Sequence, residues 1–68
     1  MTVARVTELI SSSPESFEDA VRQGVKRASK TLKNVRGAWV DGQKVECDAQ
    51  GHVREFRVIL KVSFVLED

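Results

Sequence analysis

The chain has one tryptophan, Trp39, and no tyrosine. Trp39 is therefore its best surface for stacking on an aromatic ligand, with a ring N–H left for a polar partner. Gln43, Lys44, Arg54, Arg57 and Lys61 occupy the same two extended segments and carry donors that suit a polar or phosphorylated ligand. Each also has an ordinary structural use. Tryptophan is enriched at subunit interfaces, and single charges on strands are commonplace. Convergence in an assembly is what makes them a site.

Other chemistries find little support. Cys47 and His52 are the only residues of their types. Cys47 has no internal disulfide partner, and the pair falls short of the four ligands of a structural zinc site. Cys47 reads as a small hydrophobe and His52 as an exposed residue after a turn, with no nucleophile in a recognisable context. Glu8, Glu46, Asp48, Glu55, Glu67 and Asp68 offer carboxylates that could meet between subunits around a hard cation, but their spacing matches no calcium loop. No phosphate-cradling glycine loop, zinc motif or paired acid/base site is visible. The expectation is a binding protein, not an enzyme.

With 11 basic and 10 acidic residues interspersed, and a net charge of +1, there is no footprint of a nucleic-acid binder. The opening segment carries Arg5 and Glu8 and lacks the apolar stretch of a secretion signal. No run approaches the roughly 20 apolar residues of a membrane span. A cytoplasmic location is expected, with residues 1–68 forming a single domain.

The spacing predicts the elements. Thr2–Ile10 is β-branched and reads as a strand. Ser11-Ser12-Ser13-Pro14-Glu15 signals a helix start, with Ser13 capping ahead of Pro14, or Ser12 capping with Glu15 three residues on. Phe17, Ala20, Val21, Gly24, Ala28 and Leu32 form one apolar helical stripe, and Asn34 is expected to end the helix. Gly24 marks a close approach to the sheet, since glycine inside a helix costs about 1 kcal/mol relative to alanine. Val35–Cys47 is a second strand, with bends or a bulge at Gly37 and at Asp41-Gly42. Asp48-Ala49-Gln50-Gly51 turns it into a third, Arg54–Leu66. The fold class is α+β, in β-α-β-β order, with a curved three-stranded antiparallel sheet wrapped around one helix.

The third strand alternates strictly. Phe56, Val58, Leu60, Val62, Phe64 and Leu66 line the core face, yet the opposite face, with Ile59 and Val65, is half apolar too. One helix cannot cover both. With Ala38 and Val40 turned toward the helix, Gly37, Trp39 and Asp41 turn away from it. A domain of this size buries only about 60% of the surface of its unfolded chain and has neither disulfide nor zinc to reinforce it, which leaves association.

Several segments together resemble the dodecins: Val3–Ile10 with Ser12-Ser13-Pro14-Glu15-Ser16-Phe17, the helical stretch Arg27–Leu32, and above all the ending Phe56–Asp68. The resemblance implies a hollow twelve-subunit shell with the uncovered sheet faces turned inward. Known dodecins bind flavins, stacking pairs of isoalloxazine rings on tryptophans near two-fold axes, and are regarded as flavin storage or buffering proteins. Some bacterial members also bind coenzyme A, and some without the tryptophan hold calcium or have no clear ligand. Aligning Thr31, Leu32 and Val40 without a gap places the family's stacking position at Gly37. Trp39 then lies two residues on, on the same face and displaced by roughly 6 to 7 Å. Arg57 stands where a glutamine often contacts the flavin ring, and Lys44 approximates a basic residue near the ligand in bacterial members. The resemblance thus implies a riboflavin or FMN site built from Trp39, Gly37, Gln43, Lys44 and Arg57. Its alternative is a dodecin-like structural shell that has lost the flavin site and binds cations or other small ligands at its symmetry axes.

Overall fold

The computed structural model describes residues 2–67; Asp68, one of the carboxylates considered above, lies outside them. Four elements follow in the expected order: β1 (Ala4–Ser13), α1 (Phe17–Ala28), β2 (Val35–Cys47) and β3 (Val53–Val65). β3 is the central strand of an open sheet, flanked by β1 and β2, and both pairings are antiparallel.

The core lies between α1 and one face of β1 and β3. Val58, Leu60 and Val62 alternate on β3 and are fully buried beneath Ala20 and Ala28, with Leu9, Val21, Val25, Leu32 and Val35 packed around them. Phe17 meets Phe56 edge-on with ring centroids 5.1 Å apart, the geometry that aromatic quadrupoles favour. Leu66 was expected to complete this row, but β3 ends at Val65 and Leu66 is exposed.

Gly24 is buried where α1 crosses the sheet. A Cβ there would stand 2.6 Å from Leu60 Cδ1 and 2.9 Å from Ser11 Cβ. The glycine therefore sets the helix-to-sheet distance.

The helix begins later than its serine-rich approach suggests. Ser11–Ser13 continue β1, paired opposite Val58, Arg57 and Phe56, because the ladder to β3 satisfies backbone groups that a helix start would leave open. Ser16 is the N-cap, its Oγ accepting the Asp19 N–H at 2.9 Å. Ser13, expected to cap, does a related task from the end of β1: its buried hydroxyl accepts the Glu15 N–H at 2.9 Å and donates to Asp19 Oδ2 at 2.6 Å. At the other end α1 stops at Ala28, before the expected Asn34. Asn34 instead adopts φ 61 ahead of β2, and its carbonyl accepts the Val65 N–H at 3.1 Å. Asparagine tolerates this left-handed conformation.

The β2–β3 turn forms as expected, with Gly51 at φ 84. Asp48 Oδ1 accepts the N–H groups of Gln50 and His52, both at 2.9 Å, and Oδ2 lies 3.1 Å from Arg54.

A monomeric protein of this mass exposes about 4,300 Å², whereas this chain exposes 5147 Å². Its radius of gyration is 14.0 Å, against about 11 Å for a compact domain of its length. Extra surface on an elongated chain is what an assembling subunit presents.

Gly24 and Asp48 each put these contacts to a direct test. Gly24→Ala removes about 1 kcal/mol of helix penalty but overpacks Leu60 and Ser11, an effect of about 1–3 kcal/mol. Denaturant unfolding should therefore show net destabilisation, and a stabilised variant would mean that the helix is free to lift. The second concerns Asp48, whose pKa is held below its ordinary 3.8 chiefly by the backbone hydrogen bond from His52. A depressed carboxylate pKa contributes stability above the unfolded-state value that is lost as pH falls through the folded-state one. The turn should hold at neutral pH and loosen only well into acid, read from the Asp48 carboxyl resonance and from amide exchange at Gln50 and His52. Titration of Asp48 at or above 3.8 would contradict this assignment.

Candidate functional site

The sheet face turned away from α1 is built in rows, because residues opposite each other in antiparallel strands share a face. Across β1, β3 and β2 the rows read Val6, Ser63, Gly37; Glu8, Lys61, Trp39; Ile10, Ile59, Gly42; and Ser12, Arg57, Lys44. Glu55 opposite Glu46 closes the series. The register breaks at Val35/Gly37 and at Val40/Gly42, the two weak points expected from the glycines, and again at Glu46/Cys47 beside the turn.

Trp39 lies on this face, as alternation from Ala38 and Val40 requires, and is 61% exposed. Val6, Glu8, Val40, Asp41 and Lys61 line a shallow groove with it. Lys61 Nζ is 3.6 Å from Asp41 Oδ1. Asp41 is the residue left unpaired between Val40 and Gly42, so the irregularity brings its carboxylate to the lysine. In the neighbouring row, the Ser63 hydroxyl donates to the Gly37 carbonyl at 3.2 Å. A Cβ on Gly37 would meet nothing nearer than Ser63 Oγ at 3.8 Å, so this flat shelf beside Trp39 has room for a side chain or a ring.

Lys44 and Arg57 meet in a second groove with Ile10, Gly42, Gln43 and Ile59. Both are already engaged. Lys44 Nζ lies 3.2 Å from Glu46 Oε1. The Arg57 guanidinium donates to Ser12 Oγ at 3.0 Å, Glu46 Oε1 at 3.0 Å and Glu55 Oε1 at 3.4 Å. Gln43 is opposite Val58 in register and so belongs to the helix side, at the rim of this groove. The break near Asp41 shifts the alternation by one residue, so Gly42 and Lys44 face outward in its place.

Within one protomer the expected residues thus divide. Gly37 and Trp39 stand together, as do Lys44 and Arg57, and the Lys61 and Arg57 rows are about 13 Å apart along β3. Val6 and Asp41 were not among the expected site residues, and Glu8 was expected only as a carboxylate that could meet others between subunits around a cation. The β1 contribution was concealed in a register that no local pattern reveals.

A family model described as Dodecin matches residues 3–67. The chain belongs to the dodecin family. The calcium dodecin of Mycobacterium tuberculosis is 36% identical over 64 residues, covering 94% of this chain and 89% of that protein. The dodecin of Thermus thermophilus is 31% identical over 67 residues, covering 97% and 94%. Among solved structures, the dodecin from Streptomyces davaonensis superposes with a TM-score of 0.91 at 33% identity, covering 98% of this chain and 97% of that one. The dodecin β-α-β-β fold is therefore present here.

The engaged state of Arg57 yields a prediction. Its guanidinium separates Glu46 from Glu55, which face each other directly, and like charges so placed are destabilising by up to about 1 kcal/mol. Arg57→Ala should lower stability by about that amount, and Glu55→Gln in the same chain should restore most of it. Equal losses in the single and double variants, measured by urea unfolding, would show that the guanidinium does not hold the two carboxylates apart.

Proposed function

We propose that this dodecin is a non-enzymatic flavin-binding protein that stores or buffers riboflavin or FMN in a homododecameric shell. The observation that carries this reading is Trp39, an indole 61% exposed on the uncovered sheet face, where the Gly37 and Ser63 shelf leaves a planar ring room to lie. In this reading the open faces of neighbouring copies close over the ligand. Stacking on indole quenches the flavin excited state, which gives storage a physical purpose in protection from light and side reactions.

The charges speak to which flavin. Lys44, Arg57 and Lys61 each face a carboxylate within the protomer, so a ligand phosphate would have to displace existing pairs. Fluorescence titration is expected to show quenching by the wild-type protein, with FMN bound no more tightly than riboflavin. Trp39→Ala should abolish quenching while leaving particle size unchanged. Undiminished quenching in that variant would place the flavin elsewhere, and tenfold tighter FMN binding would put the phosphate on Lys44 and Arg57.

A second reading, a shell without a flavin site that binds cations, draws on the two carboxylates in the Trp39 groove, Glu8 and Asp41. The likeness to a calcium dodecin supports it as well. Its distinguishing result is a melting temperature that rises with added calcium, as binding to the folded state alone requires, in a protein that leaves riboflavin fluorescence untouched.

A further inference from the structure

Trp39 and Lys61 are direct partners across β2 and β3, so their Cβ atoms lie within about 4.5–5.5 Å on one face. A ring lying on the indole therefore also reaches the Lys61 ammonium. That ammonium is directed at Asp41 Oδ1, 3.6 Å away, and both side chains remain nearly half exposed. The groove thus presents a cationic donor and an anionic acceptor side by side at the edge of an aromatic platform.

A planar ligand that covers this pair removes water from two charged groups, and such burial is unfavourable unless hydrogen bonds replace the water. The ring edge must then offer an acceptor to Lys61 and a donor to Asp41. An imide, with a carbonyl adjacent to an N–H, has that pattern. Arg57 is poorly placed for this task, because its guanidinium is held by Ser12, Glu46 and Glu55.

We propose that Lys61 and Asp41 are the specificity-determining pair of the Trp39 groove, selecting planar heteroaromatic ligands by an imide edge: Lys61 donates to the carbonyl and Asp41 accepts from the N–H. The inference rests on the flavin-stacking reading above and adds to it which edge of the ring is recognised. Methylation of the imide nitrogen removes the donor and leaves the stacking plane intact.

The test compares riboflavin with 3-methylriboflavin by fluorescence quenching, on wild-type protein and on the double variant Lys61→Met, Asp41→Ala, which leaves neither donor nor acceptor at that edge, with particle size checked by size-exclusion chromatography. Wild-type protein should bind the methylated ligand roughly tenfold more weakly, the scale of one hydrogen bond to a charged group. The double variant should retain quenching through Trp39 and bind the two ligands alike. Equal discrimination in both proteins, or none in the wild type, overturns the assignment while leaving the stacking reading intact. Failure of wild-type protein to bind either ligand overturns both together.

Discussion

One short helix covers one face of a sheet much longer than itself, and the rest of the molecule follows from that mismatch. The twelve residues of α1 extend about 18 Å, while thirteen-residue strands extend about 44 Å. Gly24 lets the helix settle close enough to bury Val58, Leu60 and Val62, and this contact exhausts the cover available within the chain. Val6, Ile10 and Trp39 are left on the far face at 47%, 66% and 61% exposure. Apolar surface of that kind on a small domain marks an interaction site.

The open face is also electrostatically self-contained. Its cations are drawn to carboxylates on the same strands, so the face is polar at its rim without carrying a large field. That arrangement suits surfaces of like copies, which must approach one another without repulsion. It also suits a neutral aromatic ligand better than a highly charged one. The hydroxyls of Ser12 and Ser63 are likewise committed, one to Arg57 and the other to the Gly37 carbonyl.

Much of this was legible in the residues. The β3 alternation named the core, the small-residue stripe placed Gly24 against the sheet, and period-two alternation put Trp39 on the uncovered side. The serine run misled, because Ser11–Ser13 carry helix-capping chemistry but sit where β3 offers a ladder to complete, and the long-range pairing prevails over the local signal. Asn34 misled in the same way: its left-handed conformation precedes β2 without ending α1. The site was only half legible. Asp41-Gly42 announced an irregularity, but its effect on phase, which carries Gln43 to the helix side and Asp41 to Lys61, depends on the pairing register. The contributions of Val6 and Glu8 depend on that register too, since β1 and β2 never touch in sequence and meet only through β3.

In the proposed reading the two faces divide the labour: one folds the subunit, and the other receives neighbouring copies and an aromatic ligand. That reading requires a twelve-chain particle that carries the flavin. Light scattering during size-exclusion chromatography, with absorbance followed at flavin wavelengths after addition of riboflavin, tests this most directly. The account predicts a single particle of twelve-chain mass with flavin absorbance co-eluting under its peak. A monomer, or a large particle from which riboflavin separates completely, would contradict it.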